Sequence, residues 1–270
     1  PAISPDGGRV AVRRDGDIVV LRLDGGPATR LTFGEGRNAS PVWSPDGRTV
    51  LFLSDRAAPV TGHNDVFSAR ADGSGEAELV LDAERSLSGV HWSPDGEWLL
   101  ITTSFEGPTA SDILGVRLGT DAAPVPLIAS RFADSDPALS PDGRWLAYFS
   151  QEGLFVVPFP NTGDAQWLVA GPGAGEPVWS SDGTELFYAV PGAAIASVTL
   201  FSAKVDAGAE FSVDETEAIS TYSAPLAFTS SYAVAPDDLR LLVMETVGME
   251  ESEIVLVQNF HTELQQIFGN

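Results

Sequence analysis

One tetrapeptide, Ser-Pro-Asp-Gly, recurs along this chain at nearly even intervals. Four identical copies begin at Ser4, Ser44, Ser93 and Ser140. Two weaker copies, Ser-Ser-Asp-Gly and Ala-Pro-Asp-Asp, begin at Ser180 and Ala235. The intervals between the six starts are 40, 49, 47, 40 and 55 residues. Self-similarity with this period predicts a repeat architecture in which each repeat is one supersecondary unit.

Each copy has the residues of a tight turn between two strands. Proline presets φ at the second turn position, aspartate bonds neighbouring backbone amides, and glycine accepts positive φ. Short apolar segments such as 41–43 and 49–53 flank the turn, and two further strand-like segments, such as 17–23 and 28–32, complete a repeat. This pattern predicts an all-β fold, a six-bladed β-propeller with four antiparallel strands in each blade.

The repeats fill the chain without an internal linker, so we expect a single domain, residues 1–270. One blade cannot cover both of its faces, whereas radial stacking buries apolar residues between neighbouring blades. The expected blades are approximately residues 1–35, 36–84, 85–132, 133–173, 174–226 and 227–270. Segment 263–268 is expected to supply the outermost strand of the last blade.

Composition excludes several classes of function. The chain has no cysteine, which excludes disulfide scaffolds, thiol nucleophiles and cysteine-zinc sites. Its 38 acidic and 15 basic residues give a net charge of −23, and such a surface repels phosphate backbones, so nucleic acid is not an expected partner. No apolar run approaches the roughly 20 residues that cross a bilayer, so we expect no membrane insertion by this segment. We expect a monomeric domain.

The motif and its flanks resemble a known family. Residues 42–47 (Val-Trp-Ser-Pro-Asp-Gly), followed by an apolar strand that ends at 52–56 (Phe-Leu-Ser-Asp-Arg), are similar to the WD40-like repeats of TolB-type propellers. The resemblance covers nearly the whole chain and is specific for the fold. It implies little about function, because such propellers occur in TolB itself, before peptidase domains, in polysaccharide lyases and attached to bacterial kinases.

Both ends of the chain favour a longer parent protein. Residues 254–264 are similar to the tail of propellers that follow a transmembrane segment in bacterial serine/threonine kinases. The chain begins with Pro1 and has no charged or apolar leader, which we interpret as a processed or excised part. We therefore expect a periplasmic or extracellular domain, either free or tethered through an upstream membrane segment.

A binding site is expected on the face opposite the tetrapeptide turns, around the mouth of the axial channel. The inter-blade loops and the loops between the second and third strands share that face, and loops on a rigid scaffold are where binding usually resides. The candidate ligand-binding residues are Arg37, Asn38, Ser40, Arg131, Asp134, Asp136, Glu176 and Ser231.

Two of these candidates are also candidate metal ligands. Asp136 and Glu176 lie directly before Pro137 and Pro177, at equivalent positions of adjacent repeats. We expect both carboxylates to point toward the axial opening, where a divalent cation or an amine would bridge them. The alternative is that both are solvated residues in an acid-rich chain. No other cofactor is expected.

No catalytic set is visible in the sequence. The serine elbow Gly-x-Ser-x-Gly is absent, and His63, His91 and His261 hold non-equivalent positions without zinc-site spacing. His91 is expected to pack between blades, as is the recurrent tryptophan of 43, 92 and 179. The preferred hypothesis is a non-catalytic extracytoplasmic recognition, sensor or protein-interaction module for a protein, peptide or small-molecule ligand. One alternative is a metal-dependent lyase or lactonase that uses the axial channel, and another is a scaffold without a small ligand.

Overall fold

The structure is a computed structural model, and its secondary-structure elements are β-strands. It describes residues 1–57, 63–104, 111–120, 122–192, 197–223, 232–247 and 251–258, with the backbone alone for 244–247 and 251–258. Consecutive strands pair antiparallel, so each of the six sheets is a meander in chain order. Within the described residues there is no helix that is long and apolar enough to span a membrane.

The chain divides into two compact units, Pro1–Pro137 and Ala138–Asn270. The first unit holds three four-stranded sheets. The first sheet consists of β1 (Ala2–Ile3), β2 (Arg9–Arg14), β3 (Asp17–Arg22) and β4 (Thr29–Arg30), and the second of β5 (Asn38–Trp43), β6 (Thr49–Ser54), β7 (Asp65–Arg70) and β8 (Glu78–Leu81). The third sheet consists of β9 (Leu87–Trp92), β10 (Trp98–Thr103), β11 (Ile113–Arg117) and β12 (Val125–Ile128). The boundary between the units falls within β13 (Asp134–Leu139), the first strand of the fourth sheet.

The second unit continues the same arrangement. The fourth sheet is completed by β14 (Trp145–Ser150), β15 (Gly153–Pro158) and β16 (Trp167–Ala170), which follow β13. The fifth sheet consists of β17 (Gly175–Trp179), β18 (Glu185–Pro191), β19 (Ser197–Ala207) and β20 (Phe211–Ser223), and the sixth of β21 (Tyr232–Val234), β22 (Arg240–Val247) and β23 (Glu251–Gln258). Five sheets have four strands, so the structure shows five complete blades where the sequence predicted six. The last repeat forms three strands, and residues 259–270, including the expected strand at 263–268, lie outside the described part.

The second strand of a blade is apolar on both faces because each face packs against a different neighbour. In β6, Val50 and Phe52 join the cluster shared with the first sheet, whereas Leu51 and Leu53 join the cluster shared with the third. All four side chains are buried. A continuous apolar run is what burial on both faces requires, and this packing positions the loops at the strand ends.

Tryptophans at the end of the first strand tie neighbouring blades together, as the sequence predicted for 43 and 179. Trp43 is buried against the first sheet, and its indole Nε1 donates to the carbonyl of Ala2 at 2.9 Å. In the second unit Trp179 repeats this contact with the carbonyl of Ala138 at 3.1 Å. Burial and a directional hydrogen bond together fix the rotation of one blade against the next.

Candidate functional site

The tetrapeptide turns share one hydrogen-bond pattern. In the second repeat the Ser44 hydroxyl donates to Asp46 Oδ1 at 2.6 Å, while the amides of Arg48 and Thr49 donate to Asp46 Oδ1 and Ser44 Oγ. Gly47 closes the turn with a φ of 67°. The Ser44 hydroxyl and, after it, the Arg48 amide hold the pKa of Asp46 below its ordinary value. These residues therefore fix the turn locally, which accounts for the identity of four copies.

Turns of adjacent blades contact each other at one edge of the sheets. A Cβ added to Gly47 would lie 3.6 Å from Pro5 Cδ in the first unit, and one added to Gly183 would lie 3.5 Å from Pro141 Cδ in the second. The inter-blade loops, and the loops between the second and third strands, therefore lie at the opposite ends of the sheets. We call these ends the loop face of each unit.

Three candidate residues on the loop face have an unusual backbone. Ser40, Asp136 and Glu176 each lie directly before a proline and have φ values of 50°, 51° and 53°. The pairing of β5 with β6 and of β17 with β18 shifts register at this point, so Ser40 and Glu176 lie in β-bulges. Residues other than glycine adopt this left-handed backbone conformation only at a cost of about 1–2 kcal/mol. The fold thus holds one strained conformation at the same position of three blades.

A neighbouring blade supports this conformation in the second unit. Tyr232, which is fully buried in the sixth sheet, donates its hydroxyl to the Glu176 carbonyl at 2.5 Å. The hydrogen bond crosses from one blade to the next and fixes the peptide that follows the strained residue. Such conformations persist where their surroundings determine them.

Asn38, which the sequence predicted to be a ligand-binding residue, is buried and has a structural role. Its amide Nδ2 donates to the Gly16 carbonyl at 3.1 Å, and its Oδ1 accepts from the Arg56 guanidinium at 2.9 Å. Arg56 in turn lies over the rings of Phe52 and Phe67, 5.2 and 5.0 Å from their centroids. The Asn38 side chain therefore holds the loop between the first two blades and is not offered to solvent.

Asp134 occupies the corresponding position of the fourth repeat and is also buried. Its carboxylate Oδ2 accepts from the Ser130 amide at 3.2 Å. Its backbone N–H and C=O are bonded to the carbonyl and the hydroxyl of Ser111, at 3.1 and 2.9 Å. Asp134 thus fastens the loop that enters the fourth blade.

The remaining candidates differ in exposure. Arg37, Arg131 and Asp136 are exposed, while Ser40 and Glu176 are half-buried. Ser231 lies outside the described residues. Asp136 belongs to the first unit and Glu176 to the second, and the described residues contain no group of three potential metal ligands. A cation bound by Asp136 and Glu176 stays a prediction.

Sequence reasoning missed the aspartates that open the third strand. Asp17, at the start of β3, accepts from the Thr32 hydroxyl at 2.7 Å and from the Gly34 amide at 2.8 Å. Asp65, at the start of β7, accepts from the Ala83 amide at 3.0 Å. Both carboxylates are buried and hold the inter-blade loop that follows the fourth strand. The available signal was an aspartate before a β-branched residue in both repeats.

Antiparallel four-stranded blades in chain order, joined by recurrent turns and packed through their faces, define a β-propeller domain. The family model "TolB beta propeller domain" matches residues 1–180. The chain therefore belongs to the TolB beta propeller domain family.

Individual proteins give a consistent result for the fold. The chain is 31% identical to the "Uncharacterized peptidase YuxL" of Bacillus subtilis (strain 168), over 55% of this chain and 28% of that protein. TolB from Acinetobacter baumannii superposes with a TM-score of 0.74 at 16% identity, over 95% of this chain and 62% of that one. A putative TolB from Agrobacterium tumefaciens gives 0.73 at 19% identity, over 96% and 88%. The chain spans about a quarter of the curated peptidase, and the two structural likenesses concern the fold alone.

Proposed function

We propose that this chain is a non-catalytic recognition module that binds a protein, peptide or small-molecule ligand at its loop face, outside the cytoplasm. Its partners do not include nucleic acid, and the domain acts as a monomer. The TolB-type fold is compatible with a protein-interaction role, and the net charge of −23 opposes both nucleic acid binding and self-association.

One observation carries the proposal. Ser40, Asp136 and Glu176 share a strained backbone at equivalent positions, yet their side chains differ. Glycine would adopt this conformation without the steric cost. One backbone conformation that presents different side chains beside a rigid core is suited to ligand recognition. Backbone strain of this kind clusters at functional sites.

The test separates stability from binding. The variant Asp136→Gly/Glu176→Gly is expected to raise the free energy of unfolding by about 1 kcal/mol, because it relieves two strained residues. The same variant should lose ligand in isothermal titration against cell-envelope peptides and peptidoglycan fragments. Glu78→Gln, on the outermost strand β8, removes an acid elsewhere and should leave binding unchanged. Binding that survives the double glycine variant, or measurable turnover without binding, would contradict the proposal.

A second candidate is a metal-dependent lyase or lactonase. It is favoured by the two carboxylates among the strained residues, Asp136 and Glu176, which would hold a divalent cation. Metal analysis of the purified protein and of Asp136→Asn/Glu176→Gln tests this candidate. A stoichiometric cation that the variant loses would support the enzyme, and absence of bound metal from the wild-type protein would remove it.

The proposal includes two finer points. The sixth sheet becomes a complete blade, with its outermost strand drawn from residues 263–268. The parent protein is a bacterial serine/threonine kinase, an expectation that rests on residues 254–264, of which 259–264 lie outside the described part. Determining the sequence that precedes Pro1 in the gene tests the second point, since a kinase and a membrane span are expected there.

A further inference from the structure

Most of the basic side chains of this chain form ion pairs, and a few do not within the described residues. Eleven of the 15 Lys and Arg residues form an ion pair with a described carboxylate. Pairing is expected where acids outnumber bases by 38 to 15. The four arginines that form no ion pair within the described residues are Arg13, Arg37, Arg85 and Arg131, and all four are exposed.

These four arginines lie in segments on the same face of the first unit. Arg13 lies at the end of β2, before the loop to β3, and Arg37, Arg85 and Arg131 lie in the three consecutive inter-blade loops that enter the second, third and fourth blades. All of them belong to the loop face of the first unit. By contrast Arg48, at the opposite edge, has Asp46 at 3.9 Å.

Hydrogen bonds to buried residues fix the loops that carry Arg37 and Arg85. The Arg37 amide donates to buried Asp55 at 2.6 Å. Next to Arg85, the Ser86 hydroxyl accepts from the Asn64 amide at 3.2 Å, and the Ser86 carbonyl accepts from Ser104 at 2.7 Å. Rigid backbones lower the entropy that a ligand must remove when it binds.

An aromatic ring lies against one of the four guanidinium groups, and a second ring is exposed in another inter-blade loop. The Arg131 guanidinium stacks on Phe132 at 4.8 Å from the ring centroid. In the loop that carries Arg37, the side chain of Phe33 is 65% exposed, and its ring centroid lies 5.5 Å from the Arg30 guanidinium. The surface therefore offers planar, doubly donating cations together with apolar contact, which matches carboxylates spaced along a polypeptide.

We propose that the loop face of the first unit binds an acidic peptide segment through Arg37, Arg85 and Arg131, with Arg13 and Phe33 at its margin. The inference rests on the proposed function, because it names a ligand class for the same face. Glu84 directly precedes Arg85, and Asp136 lies in the strand that follows Arg131; both are exposed. We therefore expect a segment whose carboxylates are spaced rather than contiguous to fit best.

The remainder of the molecule limits what this partner is. A second copy of the chain also carries a net charge of −23, and a nucleic acid duplex is uniformly anionic. Long-range electrostatic repulsion therefore disfavours both of these partners. At physiological ionic strength charges are screened beyond about 8 Å, and a short peptide then responds to the local guanidinium groups.

The probe is a fluorescein-labelled twelve-residue peptide that alternates glutamate with alanine and contains one phenylalanine, measured by anisotropy near 0.15 M salt. We expect it to bind at least about tenfold more tightly than the same peptide with glutamine, because charge-assisted pairing is lost. Arg37→Ala/Arg85→Ala/Arg131→Ala should weaken binding at least about tenfold. Arg48→Ala/Arg70→Ala/Arg117→Ala makes the same change of net charge at the opposite edge and should change affinity less than about twofold.

Equal affinity for the two peptides, or equal losses in the two triple variants, would overturn the inference. Competition by inorganic phosphate as effective as by the peptide, or self-association of the wild-type chain in sedimentation, would overturn it as well. Melting curves verify that both variants are folded. A failure of the peptide would leave the proposed recognition role to the separate test with Asp136 and Glu176.

Discussion

Ser181 and Asp238, the two residues that depart from the turn motif in adjacent blades, are hydrogen-bonded to each other. The Ser181 amide donates to both carboxylate oxygens of Asp238 at 3.0 Å, and the Ser181 hydroxyl donates to Oδ2 at 2.5 Å. Ser181 stands where other turns have proline, and Asp238 stands where they have glycine. In the preceding pair of turns the corresponding residues are Pro141 and Gly183, and a Cβ added to Gly183 would lie 3.5 Å from Pro141 Cδ.

The two departures compensate for each other physically. Proline has no N–H, so its replacement by serine introduces a donor that needs an acceptor. Asp238 supplies the acceptor, and it adopts a φ of 54°, which aspartate tolerates better than most side chains. Hydrogen bonds thus join two positions that are occupied by proline and glycine in the preceding pair of turns.

The pair is therefore expected to be coupled in a double-mutant cycle. Ser181→Pro alone removes both donors and should lower the free energy of unfolding by about 1 kcal/mol, since the bond is exposed. Ser181→Pro/Asp238→Gly rebuilds the usual contact and should lie within about 0.5 kcal/mol of wild type. Urea unfolding measures both. Ser181→Ala, which retains the amide donor, is the control, and strictly additive effects would contradict the coupling.

The recurrent tryptophan allows a second comparison. The indole Nε1 of Trp179 is bonded to a carbonyl of the preceding blade, whereas Nε1 of Trp92 is buried and has no hydrogen-bond partner among the residues that the structure describes. Trp179→Phe should therefore cost about 1 kcal/mol more than Trp92→Phe, because only the first loses a hydrogen bond and leaves an acceptor unpaired. Equal losses in chemical denaturation would show that packing alone fixes this position.

The architecture was predictable from sequence because its determinants are local. A turn such as 44–47 is closed by hydrogen bonds among its own residues, and the burial of both Val50 and Leu51 follows from a strand that is covered on both faces. The division into two compact units was not predictable. It depends on contacts between residues far apart in sequence, to which no local pattern corresponds.

The exposure of the candidate site residues could not be predicted from sequence, because it is decided by side-chain contacts. Asn38 and Asp134 were expected at the ligand on account of their loop positions, but both are turned inward and hold loops. The strained backbone of Asp136 has no sequence signal beyond the following proline. The absence of ion pairs at Arg37 and its counterparts in the described residues depends on where distant carboxylates lie.

The turn glycines give a third prediction. Gly96 has a φ of 73°, and a Cβ there would lie 3.9 Å from Pro45 of the neighbouring turn, so space is available but the backbone is unfavourable. Gly96→Val should therefore destabilise by on the order of 1–2 kcal/mol, because a β-branched residue is poorly accommodated at positive φ. Gly96→Asn, which tolerates that region, should cost less, and a melting temperature unchanged by valine would contradict the assigned turn.

His91 provides a prediction on pH. Burial in β9 lowers the pKa of His91 to about 4, whereas an unfolded histidine titrates near 6.5. Between these values the unfolded chain binds a proton that the folded chain does not, so the free energy of unfolding should fall as pH drops from about 6.5 toward 4. Between pH 7 and 5, before most carboxylates titrate, the loss should be about 1–2 kcal/mol. His91→Gln cannot take up the proton, so its unfolding free energy, measured by urea titration at each pH, should stay nearly constant over this interval. A wild-type curve parallel to that of the variant would mean that His91 accepts its proton in the folded state as readily as in the unfolded one.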